Sequence, residues 1–147
     1  MTKVTTVLLV GVIVVALAAC GGSSTGSNPL ANTKWQVTDY ANPAQPTGMS
    51  TVLLGTTLSA EFSADNKVGG SAGCNTYSGT YQVQGESLTV SSPLAVTMMM
   101  CAEDVMAQET AFLANLQAAK GYKLEENGQK LHLLNDKGQV TILFNKQ

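Results

Sequence analysis

The sequence predicts an α+β domain, mostly antiparallel β, in which a curved antiparallel sheet (half-barrel-like) is wrapped around one α-helix. The first supporting observation is that apolar residues alternate with a period of two along most of the chain after residue 30. The second is that only residues 102–120 follow the helical period instead. The third is that glycine-containing dipeptides separate the last strands, as expected for hairpins.

Residues 1–19 have the features of a lipoprotein signal peptide. Lys3 precedes an uncharged apolar run at residues 4–16, and small residues precede Cys20. The run is too short for a confident transmembrane helix. Leu-Ala-Ala-Cys resembles the bacterial lipobox, which predicts that Cys20 is lipidated and becomes the mature N-terminus. A plain signal peptide or a short anchor is the alternative, and either would also export the domain.

Residues 20–29 are rich in Gly and Ser and are predicted to form a flexible tether behind the lipidated cysteine. Residues 30–147 then have room for one domain with one core. We therefore expect a lipid-anchored, extracytoplasmic protein of the cell envelope. It would lie on the outer membrane facing the periplasm if the host is Gram-negative.

The first strands are predicted from alternation. In residues 34–40 the residues Trp35, Val37 and Asp39 share one face. The next segment, residues 57–62, places Leu58, Ala60 and Phe62 together. Between these two strands, residues 41–55, with Pro43, Pro46 and Gly48, form the one long irregular segment. Loops of this length are often functional or simply mobile, and both interpretations stay open.

A glycine-rich run at residues 69–81 contains a Gly-x-Ser-x-Gly pattern, and Ser71, Asp104 and His132 occur in the order found in α/β-hydrolases. The nucleophile elbow requires a strand, a sharp turn and then a helix. Here more turn residues and a further strand follow, so we interpret the match as accidental and predict no catalytic residues. The glycines are expected to form a bulge or tight corner where the sheet bends over the helix.

Further strands are predicted on both sides of the helix. They lie at residues 80–83 and 87–90, joined through Gln84-Gly85, and at residues 122–125, 130–134 and 139–144, joined through Asn127-Gly128 and Lys137-Gly138.

The helix at residues 102–120 has Glu103 and Asp104 near its positive end. Its predicted apolar stripe consists of Ala102, Val105, Met106, Phe112, Leu113 and Leu116. Glu109 lies in the middle of that stripe, where a carboxylate must be paired, hydrogen-bonded or neutralised. Either it accepts backbone N–H bonds from the glycine-rich corner, or it is an acid or ligand contact at the base of a cleft.

The remaining cysteines, Cys74 and Cys101, are an even pair in a compartment that is oxidising, and a disulfide is the first interpretation. Free thiols or a metal–thiolate site are the alternatives. Met98, Met99, Met100 and Met106 lie close to Cys101 in sequence and would suit Cu(I). Methionine is also a common filler of gaps in cores, and a disulfide would remove the thiolates. No metal and no cofactor is predicted.

Composition restricts the partners. The formal net charge is −2, from eight lysines, no arginine and ten acidic residues. An acidic chain without a basic stripe argues against nucleic acid and against anionic lipid headgroups.

These residues together resemble the META domain family, and within it the HslJ-like bacterial lipoproteins. The resemblance extends over residues 30–144. It depends most on two motifs, Gly-Cys-Asn-x-Tyr-x-Gly-x-Tyr at residues 73–81 and Thr-x-Met-x-Cys at residues 97–101. Leu30, Trp35 and Glu109 add to it. Asn32 stands where the family often has Gly, and Met98 where it often has a basic residue.

The resemblance implies a small β-rich envelope module with one packed helix, associated with stress or drug-resistance phenotypes and without established enzymatic activity. It implies structural or binding roles for Asn75, Tyr77, Tyr81, Thr97, Met99 and Glu109. The expected partners are the membrane, through the N-terminal lipid, and an unknown envelope protein or apolar ligand in a groove between sheet and helix. The alternative is an inhibitor or a docking, pilot-like module for an envelope enzyme or secretion component, which would present residues 41–55.

Overall fold

The computed structural model describes residues 27–45 and 48–147. The predicted signal peptide, the lipidated Cys20 and most of the predicted tether lie outside these residues. In the described part of the chain, no helix has the length and apolar character needed to cross a membrane.

The described chain forms ten strands and one α-helix, and the C-terminal strands are separated by a short 3-10 turn at Glu126–Gly128. In chain order the elements are β1 (Thr33–Ala41), β2 (Met49–Thr51), β3 (Ser59–Phe62), β4 (Lys67–Ser71), β5 (Thr76–Gln84), β6 (Ser87–Val90), β7 (Ala95–Val96), α1 (Glu103–Gln117), β8 (Gly121–Glu125), β9 (Lys130–Leu134) and β10 (Val140–Lys146).

The predicted fold class is confirmed, because the sheet is antiparallel throughout and curves around a single helix. The strand order is β10-β9-β8-β6-β5-β4-β3-β1-β2, and β10 also pairs with β1. Strand β2 pairs only with β1, and strand β7 pairs only with β5. The other eight strands therefore form a closed ring. The ring is weakest between β6 and β8, where Ser87 and Gly121 are the only Cα partners. The sheet thus closes further than the expected half-barrel.

The barrel interior is filled by the alternate residues of its strands. Leu58, Ala60 and Phe62 are all buried, as the alternation predicts. The largest fully buried side chains in the described residues are Trp35, Tyr81, Phe62, Phe112, Phe144 and six leucines with Ile142. Because these side chains occupy the barrel, its interior is a packed core rather than a cavity.

Helix α1 crosses one end of the barrel, which we call the helix pole. This end also contains the turn at residues 72–75, the segment at residues 97–101 and the end of β1. Asn115 Nδ2 of the helix donates to the carbonyl of Ala41 at 2.7 Å. At the other end, the N-terminal pole, Asn28 Nδ2 donates to Tyr81 Oη at 2.9 Å beside the β3–β4 turn. The two poles lie at opposite ends of β4.

The helix begins one residue later and ends three residues earlier than predicted. Its buried residues are Gln108, Glu109, Phe112 and Leu116. The predicted stripe is therefore wrong at its start, since Ala102 is exposed and Val105 and Met106 are only half-buried. The helix lies across the barrel end, so its first turn extends over the rim, where no strand covers it.

The prediction that Asp39 shares a face with Trp35 and Val37 is also wrong. The register between β1 and β10 shifts between Val37 and Asp39, which marks a β-bulge. An extra residue reverses the alternation, so Tyr40 is buried in the place expected for Asp39.

Residues 41–55 are less irregular than expected, because they contain β2, which pairs with the end of β1 through Ala41 and Met49.

The fold begins within the predicted tether. Asn28 Oδ1 accepts the backbone N–H of Leu30, which is fully buried. Asn32 has a positive φ of 58°, a left-handed conformation in which Asn is one of the few tolerated residues besides Gly. Glycine adopts this conformation freely, which agrees with the glycine that the META resemblance implies at this position.

The glycine-rich run forms a hairpin, and its local geometry explains why glycine is needed at two of its positions. Gly69 and Gly70 lie within β4, and a Cβ on Gly70 would lie 2.2 Å from the carbonyl oxygen of Ser59. The chain then turns through residues 72–75, where Gly73 has a φ of +108° and the N–H of Ala72 donates to the carbonyl of Asn75 at 2.7 Å. The glycines thus permit a close approach of strands and a left-handed turn.

We expect Gly70→Ala to destabilise the domain by about 3 kcal/mol, because the added methyl group would push a neighbouring backbone away. Gly138→Ala is the control. Gly138 has a positive φ, unlike Gly70, and has nothing within 4 Å of the added Cβ, so only the conformational cost of about 1 kcal/mol applies. Urea unfolding followed by circular dichroism measures both. Equal losses in the two variants would contradict the close-approach explanation.

Candidate functional site

The side chain of Asn75 connects three parts of the helix pole. Its backbone N–H and its Nδ2 donate to the two carboxylate oxygens of Glu109, at 2.7 and 2.8 Å. Nδ2 also donates to the carbonyl of Met99 at 3.1 Å. Its Oδ1 accepts from the N–H of Met99 at 2.7 Å and from the hydroxyl of Thr97 at 2.8 Å. All four hydrogen-bonding positions of the amide are therefore used.

Glu109 holds the turn from the helix side. Each of its carboxylate oxygens accepts a hydrogen bond from Asn75, and its side chain is buried. This geometry matches the first of the two interpretations, in which the carboxylate accepts N–H bonds from the glycine-rich corner. The arrangement suits a structural anchor more than a proton donor or acceptor, because the carboxylate is buried and each oxygen is already hydrogen-bonded.

The predicted disulfide is confirmed. Cys74 and Cys101 are joined with an S–S distance of 2.05 Å and a Cα–Cα distance of 6.0 Å. It joins the same two segments that Asn75 connects, so the turn and residues 97–101 are tied twice. Both thiols are consumed, which overturns the metal–thiolate alternative at this position. Within the described ranges, no three His, Cys, Asp or Glu side chains form a group that would hold a metal ion.

The two predicted tyrosines lie at different poles. Tyr77 packs edge-to-face on Phe112 with ring centroids 5.7 Å apart, and its hydroxyl donates to the carbonyl of Ser59 at 2.8 Å. Burial raises the pKa of Tyr77 far above its ordinary value. Tyr81 lies at the N-terminal pole against Phe62, and burial also raises its pKa. Asn75, Tyr77, Thr97, Met99 and Glu109 are thus brought together, and Tyr81 is not.

The hydrolase-like residues do not form a triad. Ser71 ends β4, its hydroxyl accepts the N–H of Gly73, and strand β5 follows the turn in place of a helix. Asp104 Oδ1 accepts the N–H of Val105 at the helix start. His132 lies on the outer face of β9, with Nδ1 3.5 Å from the carboxylate of Glu125.

Gln108 is a site residue that the sequence analysis missed. It is buried, its Oε1 accepts the N–H of Leu53 at 2.7 Å, and its Nε2 donates to the hydroxyl of Thr56 at 2.9 Å. It therefore fixes the segment after β2 to the helix. A polar residue next to Glu109 on the same helix turn is the only signal that the sequence offered.

Apolar side chains are unusually exposed at the helix pole. Met98, Met100 and Leu54 have relative exposures of 98%, 94% and 101%, and Met99 is exposed to 57%. The interpretation of these methionines as core fillers is therefore wrong. Asn75 binds the backbone of Met99 from one side, which turns the neighbouring side chains toward solvent.

Two grooves follow the uncovered face of α1. The first, of about 720 Å³, lies between the helix and residues 41–43. Its walls are mostly apolar, from Ala41, Pro43, Met106, Ala107, Ala111 and Ala114, with Asn42, Glu103, Thr110 and Asn115 at polar positions. The second, of about 520 Å³, lies between the first turns of the helix and the β1–β2 hairpin and is more polar.

The charges near these grooves have one sign. Glu103 lines the first groove, and Asp104 lines the second. The sequence contains no Lys or Arg between Lys67 and Lys120, a range that includes the turn, the methionines and the whole helix. The helix pole is thus an apolar surface with an acidic border.

The sequence profile of the META domain matches residues 28–147. The chain belongs to the META domain family. The match starts at Asn28, the first of the described residues with side-chain hydrogen bonds to the fold. No curated protein gives a significant match to this META domain chain.

Solved structures share the fold. An NMR structure of a protein from Burkholderia xenovorans is 25% identical with a TM-score of 0.64, covering 82% of this chain and 88% of that one. A crystal structure of a DUF4847 family protein from Bacteroides vulgatus is 17% identical with a TM-score of 0.53, covering 79% and 93%. Neither description names an activity, so both comparisons inform the fold only.

We expect Glu109→Ala to lower the free energy of unfolding by about 3 kcal/mol, because two N–H donors of Asn75 would be left unsatisfied in a buried site. Glu103→Ala on the exposed first turn is the control and should cost less than about 1 kcal/mol, from its interaction with the helix dipole. Chemical denaturation measures both values. If Glu109→Ala lowered the free energy of unfolding no more than the control, the hydrogen-bond network would not stabilise the helix pole.

Replacing both Cys74 and Cys101 by Ala should cost roughly 3–4 kcal/mol, because a loop closed across 27 residues would be released in the unfolded chain. The Asn75 hydrogen bonds remain, so we expect the folded amide spectrum to change only near residues 72–76 and 97–103. Free thiols found by mass mapping of the unreduced wild-type protein would contradict the disulfide itself.

Proposed function

We propose that this META domain protein is a lipid-anchored, extracytoplasmic lipoprotein that acts by binding rather than by catalysis, in envelope stress or drug tolerance. The observation that carries this proposal is the apolar groove of about 720 Å³ beside α1. The disulfide supports an oxidising compartment. The lipobox-like sequence that ends at Cys20 supports the lipid anchor.

The groove is suited to an apolar segment or an acyl chain. Ala107, Ala111 and Ala114 line the helix side with methyl groups only, so a ligand can approach the helix backbone closely. Asn115 donates to the carbonyls of both Ala41 and Ala111, at 2.7 and 2.9 Å, and fixes the opposite wall to the helix. The groove is therefore preformed, which reduces the ordering cost of binding.

A binding role also fits the polar groups of the pole. The side chains of Asn75, Glu109 and Gln108 satisfy one another or the adjacent backbone. Catalytic groups need an open hydrogen-bonding position toward a substrate, and these side chains have theirs occupied. They are better suited to keeping the groove rigid.

The alternative function is an inhibitor, or a docking, pilot-like module for an envelope enzyme or secretion component. One observation favours it, since Leu54 projects fully into solvent from the segment that Gln108 holds on the helix. An exposed leucine on a fixed segment is a suitable anchor for a pocket on another protein.

We expect native mass spectrometry of the mature lipoprotein, released gently from membranes, to show a bound apolar species. The double variant Ala107→Glu/Ala114→Glu should lose it, because two charges would enter an apolar groove. Both positions are exposed, so the melting temperature should change little. Thr89→Glu, on the outer face of β6, is the matched control and should retain the ligand.

Two results separate the alternatives. The proposal of ligand binding in the groove would be refuted if the wild-type protein carried no bound species. It would also be refuted if the double variant retained that species. A photo-crosslinker at position 54 that captures one envelope protein, together with loss of that product in Leu54→Ser, would favour the docking function.

A further inference from the structure

Strand β7 is an open edge beside the helix pole. Ala95 and Val96 pair with Ser78 and Tyr77 of β5, and no other described strand pairs with β7. The N–H of Thr97 donates to the carbonyl of Thr76 at 3.0 Å. Because hydrogen-bonding residues alternate in antiparallel pairs, Val96 then directs its own N–H and C=O away from β5.

The edge continues beyond β7 as a fixed extended segment. The N–H and C=O of Met99 both bind the side chain of Asn75. Cys101 is held by its disulfide. Residues 95–101 are therefore fastened along one side only, and by the same alternation Met98 presents its backbone groups on the free side.

This edge lacks the usual protection. Exposed edge strands are normally blunted by lysines, prolines, bulges or a covering element. Residues 95–100 contain neither a charged residue nor a proline. Their side chains are instead apolar and exposed at Val96, Met98 and Met100. Flexible methionine side chains adapt to varied partner surfaces.

The charges next to the edge select the chemistry of a partner. Glu103 and Asp104 follow it directly in the chain and are both exposed. Among the described residues, neither carboxylate forms an ion pair with a lysine or histidine. A basic segment is therefore attracted, and an acidic one is repelled.

Two occupants from the chain itself fit poorly. The segment before the fold leaves from Asn28 at the N-terminal pole, and residues 21–27 contain no apolar and no basic side chain. A second copy pairing through the same edge would bring two sets of Glu103 and Asp104 together, which like-charge repulsion disfavours.

We propose that the edge formed by residues 95–100 binds an extended segment of a partner protein in which apolar residues alternate with Lys or Arg. The segment would add a strand to β7 through the backbone groups of Val96 and Met98. Its apolar side chains would contact the methionines, and its cations would face Glu103 and Asp104. This site shares Glu103 with the border of the helix groove, but its backbone contacts lie on β7 and do not depend on the groove having a ligand.

The test uses the full chain in phosphatidylcholine nanodiscs and two fluorescein-labelled twelve-residue peptides, one alternating Lys with Val and one alternating Glu with Val. Fluorescence anisotropy, with empty nanodiscs as the blank, should show saturable binding of the lysine peptide and little binding of the glutamate peptide. Equal binding of both peptides, or no saturable binding of the lysine peptide, would overturn the proposal.

Two changes test strand addition. Val96→Pro removes an outward N–H that β5 does not use, and should lower affinity roughly tenfold, whereas Val96→Thr should leave it nearly unchanged. A lysine peptide N-methylated at every second residue should bind as weakly, with the protein unaltered. Unchanged affinity of the N-methylated peptide would overturn strand addition even if Val96→Pro failed to fold.

Two double variants test the contribution of the carboxylates to binding. Glu103→Gln/Asp104→Asn should weaken lysine-peptide binding severalfold and reduce its dependence on salt. Glu86→Gln/Asp136→Asn removes two exposed carboxylates elsewhere on the barrel and should have a much smaller effect. Equal effects of the two pairs would show that only net charge matters and would contradict the site.

Discussion

The structure of the helix pole depends on one buried amide. The side chain of Asn75 joins the turn after β4, the carboxylate of Glu109 on α1 and the backbone at Met99. Inside a protein such hydrogen bonds are strong, and each unpaired member would be costly. Because every donor and acceptor of the network is used, the three segments are stable only in this arrangement.

The position of the helix follows from that constraint. Glu109 can reach the N–H of Asn75 only if α1 lies across the barrel end, with Phe112 against Tyr77. The helix then buries one narrow side and leaves its alanine-rich side uncovered beside residues 41–43. The groove and the open edge of β7 are therefore both consequences of the same anchor.

The sequence predicted the parts of this fold that depend on local patterns. Alternation located most strands, and Glu109 was recognised because a carboxylate on an apolar stripe requires a partner. The β1–β10 closure joins residues more than a hundred positions apart, such as Trp35 and Lys146, so no local period reveals it. The bulge after Val37 adds one residue to the alternation, which placed Asp39 on the wrong face. Met98 and Met100 were interpreted as core fillers because that is a common role of methionine, whereas the backbone contacts of Met99 leave them exposed.

The filled barrel determines where binding can occur. In ligand-carrying barrels the ligand enters an interior cavity, but Trp35, Phe62, Tyr81 and Phe144 occupy that space here. The binding proposed above would therefore use the outer surface, and the two poles are not equivalent for it. The N-terminal pole is where the chain enters the fold, next to Asn28, so a lipid anchor at Cys20 would hold that pole toward the membrane. The exposed methionines, the groove and the acidic border all lie at the opposite end of β4, where a protein partner has free access.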